Sequence, residues 1–410
     1  MNLVNLSWYN LKARPLTTLM SLLLLTLGVG LVSMLLLLSQ QLAQQFNQNL
    51  KGVDLVVGAK GSPLQLILAN IYHIDNPTGN IPLSEAQSLM KHPLVEQAIP
   101  LAYGDSYQGF RIMGTEHAYL DRYEVEVAQG ELWEETFDVT LGATVAERLG
   151  LKVGEEFYGQ HGSSVNAETH DSHAYRVVGI LAPSGTVVDQ LILTQVNSVW
   201  EVHGHEEEHA EEEHEHVEGE EHEHEPAEDD REITALLIKF RSNMGVMVLP
   251  RMINENTSMQ AALPAFEVNR LLGLFAIGID GLRTMAIVIM VIAGISVFIS
   301  LYNSLKERRY ELALMRTLGA DRAQLLGLVV LEGVMLAFLG GVAGLVASRV
   351  GMWVLSEAVA SAYYYDLSWA NFLPEEGYLL LAAIGTGLLA ALIPGIRAFN
   401  LDISETLAEG

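Results

Sequence analysis

The chain has 410 residues, half of them hydrophobic, and a formal net charge of −27. Such a charge excludes a nucleic-acid-binding protein, because no basic face can dominate that field, and the absence of cysteine excludes disulfides, thiolate metal sites and cysteine nucleophiles. There is room for two or three domains, and apolarity and acidity of this degree must occupy different parts of the chain.

Residues 1–15 carry Lys12 and Arg14 ahead of a first membrane span at 16–39, uncharged from Leu16 to Leu38. A bilayer needs about 20 apolar residues. The run exceeds the roughly 7–15 residues of a signal-peptide core, and no small-x-small site follows it, so it is read as a retained anchor. Residues 40–282 form one large extracytoplasmic insertion with the pattern of a mixed α/β domain. Val53–Val57, Tyr175–Leu181, Leu191–Thr194 and Ala235–Phe240 are β-rich apolar runs near Gly, Pro or Asp. Ser84 with Gln87 makes a capping-box pattern for a short helix stopping near Pro93, and Ala143–Leu149 before Gly150 reads as a helix with a glycine stop.

Inside this insertion, residues 201–232 hold seventeen acidic residues and one Arg, a net of −16. Such composition predicts a loop disordered without metal. His203, His205, His209, His214, His216, His222 and His224 form three His-x-His pairs and one single. Neutral imidazole is a good ligand for Zn²⁺, and also for Cu²⁺ and Ni²⁺. The loop therefore reads either as a metal-capturing appendage or as a solvating linker with incidental histidines. His205-Glu-Glu-Glu-His209 matches the zinc-peptidase pattern only because a run of His and Glu generates it readily; the chemistry also needs a helix, a third ligand and a dry cleft. His161, His170 and His173 beside Asp171 form a sparser group, open to the same two readings.

Pro264–Leu282 is largely apolar and is expected to extend a second span, 283–305, outward as a stalk. Residues 306–322 are a charged segment in which Leu314 and Leu318 are four apart, Leu312 and Met315 three apart, and Gly319 is placed to end a helix. Glu307, Arg308, Arg309, Glu311, Leu314, Arg316 and Leu318 then either face a cytoplasmic partner or form a solvated loop. A third span at 323–348 contains Glu332, an ionisable group that costs about 2.5–3.5 kcal/mol on insertion scales and so needs a partner. Coupling or substrate-path service and a structural hydrogen bond to a neighbouring helix both fit. Gly340, Gly341 and Gly344 permit close helix approach. A loop at 349–375, a fourth span at 376–396 and a tail at 397–410 complete the chain. Lys12 and Arg14, then Lys306, Arg308, Arg309, Arg316 and Arg322, then Arg397, fall on one side when both termini are cytoplasmic. Arg349 is the one dissenter.

No Gly-Lys dipeptide occurs, so the sequence contains no GxxxxGK[ST] phosphate loop. Gly58-Ala-Lys-Gly-Ser is a glycine-rich fragment only. No enzyme signature is found, and any ATP hydrolysis is expected in a separate chain.

Gly130-Glu-Leu-Trp, the stretch Val139 to Gly154 and Tyr175-Arg-Val-Val-Gly-Ile-Leu resemble the periplasmic core domain of MacB-type permeases. Asn303-Ser-Leu-Lys-Glu-Arg-Arg-Tyr-Glu-Leu-Ala-Leu-Met-Arg-Thr-Leu-Gly-Ala, Ile393-Pro-Gly-Ile-Arg-Ala and Asp402-Ile-Ser-Glu-Thr-Leu are similar to FtsX-like permeases. The resemblance implies an α-helical membrane protein of four transmembrane helices, one plus three, around a mixed α/β MacB-like core. It implies the permease subunit of a type VII ABC transporter in a bacterial inner membrane. Such a subunit would be a homodimer in membrane lipid, working with a MacB- or LolD-like ATPase on a periplasmic or outer-leaflet substrate. The residues 306–322 would be its coupling element. The His-rich loop adds zinc or another divalent metal, and a periplasmic metal-binding or substrate-delivery protein, as expected associates. The alternatives are an FtsX-like regulator that transmits force and carries nothing, and a periplasmic metal sensor gating either activity.

Overall fold

The computed structural model describes residues 3–160, 169–202, 231–363 and 368–400, with backbone alone for 169–172 and 359–363. Helices α1 (Leu3–Ala13) and α2 (Pro15–Asn49) open the chain. There follow β1 (Leu55–Ala59), α3 (Pro63–Asn70), β2 (Ile81–Pro82), α4 (Leu83–Met90), β3 (Val95–Tyr107), β4 (Phe110–Gly114), α5 (Ala118–Asp121), β5 (Val127–Gly130) and β6 (Asp138–Leu141). Next come α6 (Ala143–Leu149), β7 (Glu156–Gln160), β8 (Thr169–Leu181), β9 (Leu191–Thr194), α7 (196–202), β10 (Glu232–Ile233), β11 (Ala235–Phe240), α8 (Met244–Asn256) and β12 (Met259–Ala262). Helices α9 (Pro264–Glu307), α10 (Arg309–Thr317), α11 (Arg322–Tyr363) and α12 (Pro374–Phe399) complete the described chain. Two units result: Met1–Ala43 with Leu274–Gly410, and Gln44–Gly273.

The second unit is the mixed α/β domain. Its ten-stranded sheet runs β12-β1-β11-β3-β4-β9-β6-β8-β5, with β7 pairing β3 and β8 off this path. Most pairs are antiparallel; β4 with β9 and β6 with β8 are parallel. The central strands are apolar on both faces, and the period of two sorts them into two cores. Val56, Leu237, Ile99 and Leu101 enter the core around Tyr119 and Trp133, while Leu55, Val57, Leu236 and Ile238 enter the core against α8. Gly130 (φ 71°) and Gly179 let β5 and β8 approach closely, since a Cβ on either would lie 2.1 or 2.0 Å from a facing carbonyl oxygen. Helix α6 ends as expected on Gly150, in the left-handed region at φ 68°. Gly58 lies within β1, where a Cβ would meet Leu66 at 2.5 Å, so packing accounts for that glycine.

Three sequence expectations are corrected. The Ser84–Gln87 capping box does not form: α4 begins at Leu83, and its first N–H donates instead to the Arg231 carbonyl at 2.8 Å. The strand expected at Val53–Val57 is shifted to Leu55–Ala59, and that at Tyr175–Leu181 extends back to Thr169. The loop expected at 349–375 is largely helical, because α11 continues to Tyr363.

In the other unit, α2, α9, α11 and α12 are, among the described residues, the four helices long and apolar enough to cross a membrane. Helix α9 is unbroken from Pro264 to Glu307. The glycines of α11 serve packing: a Cβ on Gly340 would come within 2.6 Å of Leu25, one on Gly341 within 2.7 Å of Leu380, and one on Gly344 within 3.0 Å of the Gly30 nitrogen. Helix α11 thus lies tight against both α2 and α12.

Candidate coupling site

Helix α9 gives way to α10 at Arg308, whose backbone (φ −108°, ψ 18°) leaves the helical region. At the far end, Ala320 N–H donates to Met315 and Gly319 N–H to Arg316, at 3.0 and 3.1 Å, with Gly319 at φ 100°. That double closure around a left-handed glycine ends α10 where the sequence placed a stop. Asp321 then opens α11, its backbone N–H donating to the Gln324 side chain at 3.1 Å.

Helix α10 has two apolar faces. Leu312, with Met315 beside it, packs with Leu305, Leu325, Leu328, Val329 and Ala398 of the same unit. Tyr310, Leu314 and Leu318, four apart, point outward; Leu314 is 47% exposed and Leu318 81%. A short helix pinned by one face and bare on the other is suited to enter a partner's groove.

The charges at its root are bound together. Glu307 pairs with Arg14 at 2.5 Å. Arg308 donates to Glu311 at 2.8 Å and lies 3.7 Å from Glu332, which is buried inside α11. The Asn10 side-chain amide also donates to Glu332. Glu332 therefore gathers α1 and the start of α10 onto α11. Arg309 lies in the exposed first turn and Arg316 in the last turn of α10.

Sequence reasoning placed Lys12 and Arg14 as topogenic flanks and missed α1 as a packed helix. Its signal was the spacing of Leu3, Leu6, Asn10 and Leu11, one helical stripe; Leu3, Leu6 and Leu11 do enter the cores of this unit. It also missed a second polar cluster. Arg349 donates to Glu376 at 2.5 Å; Glu376 accepts from Ser33 at 2.6 Å, and Ser33 lies 2.8 Å from Ser348. Glu376 also accepts from the Leu373 N–H at 3.3 Å, covering an orphan donor at the start of α12. The cation that broke the positive-inside pattern is thus neutralised within the protein and kept inside α11.

In the α/β unit, His73 sits at φ 55° between two tyrosines, its Nδ1 2.5 Å from the Tyr103 hydroxyl and its Nε2 2.9 Å from that of Tyr119. Tyr103 donates to the Ala69 carbonyl, which leaves Nδ1–H as donor to Tyr103 and Nε2 as acceptor from Tyr119. Burial, with Arg111 and Arg122 nearby, pushes the imidazole down to about 3. Burial also raises the hydroxyls of Tyr103 and Tyr119.

The seven histidines from His203 to His224 lie outside the described residues, as do His161 and the side chains of His170 and Asp171. His173 stacks on Phe137, ring centroids 4.7 Å apart. Among the described residues no group of three or more His, Asp or Glu is placed to hold a metal ion.

The profile of the MacB-like periplasmic core domain matches residues 18–223, and that of the FtsX-like permease C-terminal domain matches 283–403. The chain belongs to the FtsX-like permeases with a MacB-like periplasmic core. This permease is 27% identical over 129 residues to a macrolide export ATP-binding/permease protein MacB of Paracoccus denitrificans, covering 32% of this chain and 19% of that one. It is 26% identical over 148 residues to the lipoprotein-releasing system transmembrane protein LolE of Haemophilus influenzae, covering 31% of this chain and 35% of that one. The permease thus spans about a fifth of the MacB relative and about a third of LolE. The periplasmic region of MacB from Actinobacillus actinomycetemcomitans aligns over 98% of its own length and 56% of this chain, at 11% identity and a TM-score of 0.34.

Proposed function

We propose that the chain is the permease subunit of an ABC transporter, with α10 as the element that docks on a separate ATPase chain. The observation that carries this is the outward stripe Tyr310, Leu314 and Leu318 on a helix whose other face is pinned and whose root is tied to Glu332. ATP-driven movement of the docked ATPase would push α10. The Arg308–Glu332–Asn10 cluster would pass that push to α11 and α1, and the glycine-packed α2 and α12 would follow α11.

Both termini are placed in the cytoplasm and the α/β unit across the inner membrane, on the basic flanks of the spans. Ile287, Val291 and Ile295 of α9 are exposed, which supports a lipid-facing or second-copy contact and the homodimer that the family resemblance implies. The substrate is placed at the outer leaflet or in the periplasm. Seven histidines among glutamates support a divalent metal, zinc first, as cargo or signal at the loop. The test is co-purification of the ATPase with the permease carrying Arg309→Glu or Leu314→Glu; loss of the ATPase supports the assignment, and an intact complex with normal turnover refutes it.

A further inference from the structure

The α/β unit contains an open groove of about 750 Å³, walled by α4, the turn before α5, the Trp133 loop and α7. Trp200 and Met90 line it over the buried Trp133 and Ile233, beside the polar side chains of Gln87, Gln195 and Asn197. Its charge has one sign. Among the described residues, Glu116 and Glu134 line it and no Lys or Arg does. Neither carboxylate has a hydrogen bond or ion pair among the described residues, and burial raises the Glu116 carboxyl. The side chains of Gln87 and Asn197, also on the wall, are likewise without partners among the described residues.

These features select an occupant. Ring faces and a methionine accept apolar side chains, and amide side chains offer both a donor and an acceptor, which suits the N–H and C=O of an extended backbone. Two exposed carboxylates with no partner on the protein among the described residues favour a cation beside those apolar groups, where it can make charge-assisted bonds to both. A cation is already drawn to this rim, with the Arg231 guanidinium 5.1 Å from the centre of the Trp200 ring. The His/Glu-rich loop of the same chain leaves at Val202 and returns at Arg231, beside the groove, but its net negative charge matches the sign of the wall and disfavours it as occupant.

We infer that this groove is a docking site for an extended protein segment presenting Lys or Arg between apolar side chains, supplied by a partner in the compartment of the α/β unit. The inference is independent of the coupling assignment and does not require that the loop bind metal.

The test uses the full chain in lipid nanodiscs and a fluorescein-labelled pentapeptide alternating leucine and lysine, with binding read by anisotropy. Four proteins are compared: wild type; E116Q/E134Q; the control E124Q/E147Q, which removes the same charge from exposed positions outside the groove; and a chain in which 203–230 is replaced by a short Gly-Ser linker. Trp200 Nε1–H donates to the Glu232 carbonyl at 2.6 Å, so the loop's roots are already held together. The expected result is an affinity about tenfold weaker in E116Q/E134Q, and nearly unchanged in the control and the linker chain. A change below about twofold in E116Q/E134Q overturns the inference. So does binding lost with the loop, which would make the loop the attractor. Equal binding of the peptide with glutamate for lysine overturns it as well. Displacement of the peptide from the linker chain by zinc alone would make the groove a metal site and overturn it too.

Discussion

Arg308 and Glu332 lie 3.7 Å apart, joining the residue where α9 breaks into α10 to a carboxylate inside α11. Arg308 is only 18% exposed and Glu332 6%, so this pair sits where solvent screens little, and Asn10 completes it. A charge inside a long apolar helix and the break between α9 and α10 are therefore one structure.

Breaking that pair from either side should separate coupling from folding. Glu332→Gln keeps the shape and the bond to Asn10 but removes the charge facing Arg308. Reconstituted ATPase activity should lose its dependence on permease, while the unfolding temperature shifts by a few degrees at most, because Arg308 keeps its pair with Glu311 at 2.8 Å. The exchange Arg308→Glu with Glu332→Arg should recover part of the function that either single change loses. No recovery in this double-mutant cycle would show that the two residues act separately.

Glu376 holds Arg349 and Ser33 together. Removing one member leaves a buried charge, which costs about 3–5 kcal/mol where desolvation is complete and less where lipid headgroups reach it. Glu376→Leu should therefore lower the thermal stability of the permease in detergent more than the double change Arg349→Leu with Glu376→Leu. If the double variant is the less stable, the cluster stabilises by its bonds rather than by mutual neutralisation.

The fold was largely legible because its signals are long. Four apolar runs announced four spans, and Leu191–Thr194 and Ala235–Phe240 became strands as written, since a fully buried strand must be apolar throughout. Gly150 and Gly319 ended their helices because a left-handed backbone favours glycine. What the sequence concealed was partner choice. Ser84 lost its capping role to the carbonyl of Arg231, which no local pattern reveals. Arg349 looked like a topology error until Glu376, distant in sequence, was seen beside it. Within residues 306–322, spacing identified the apolar positions, but only the structure separates Leu312, which packs inward, from Leu314 and Leu318, which face out.

His73 predicts a pH effect. Its folded value of about 3 lies below the ordinary 6.5, so between these values the unfolded chain binds the proton and the folded one does not. Its contribution is complete above about pH 6.5 and is lost as pH falls toward 3. His73→Gln should lose less stability than wild type on going from about pH 7 to about pH 5, in denaturant unfolding followed by tryptophan emission. Equal losses would mean that the imidazole already titrates in the folded state.

The His-rich loop makes a prediction for metal. Wild-type permease should retain Zn²⁺ in equilibrium dialysis at near-neutral pH and release it as the histidines protonate near pH 6. Replacing His203, His205, His209, His214, His216, His222 and His224 by Gln should abolish retention without changing solubility. Retention by the glutamine variant would assign the metal to carboxylates or to another site.

The most direct test of the central claim is co-purification of the ATPase with permease carrying Leu314→Glu and Leu318→Glu, beside Leu312→Ala as a control on the packed face. The account predicts that the outward pair releases the ATPase while the permease remains folded and membrane-inserted. It predicts that Leu312→Ala, which loosens α10 but keeps its outer surface, lowers stability and leaves the ATPase bound. A complex that survives the outward pair with undiminished ATP turnover would contradict α10 as the docking element.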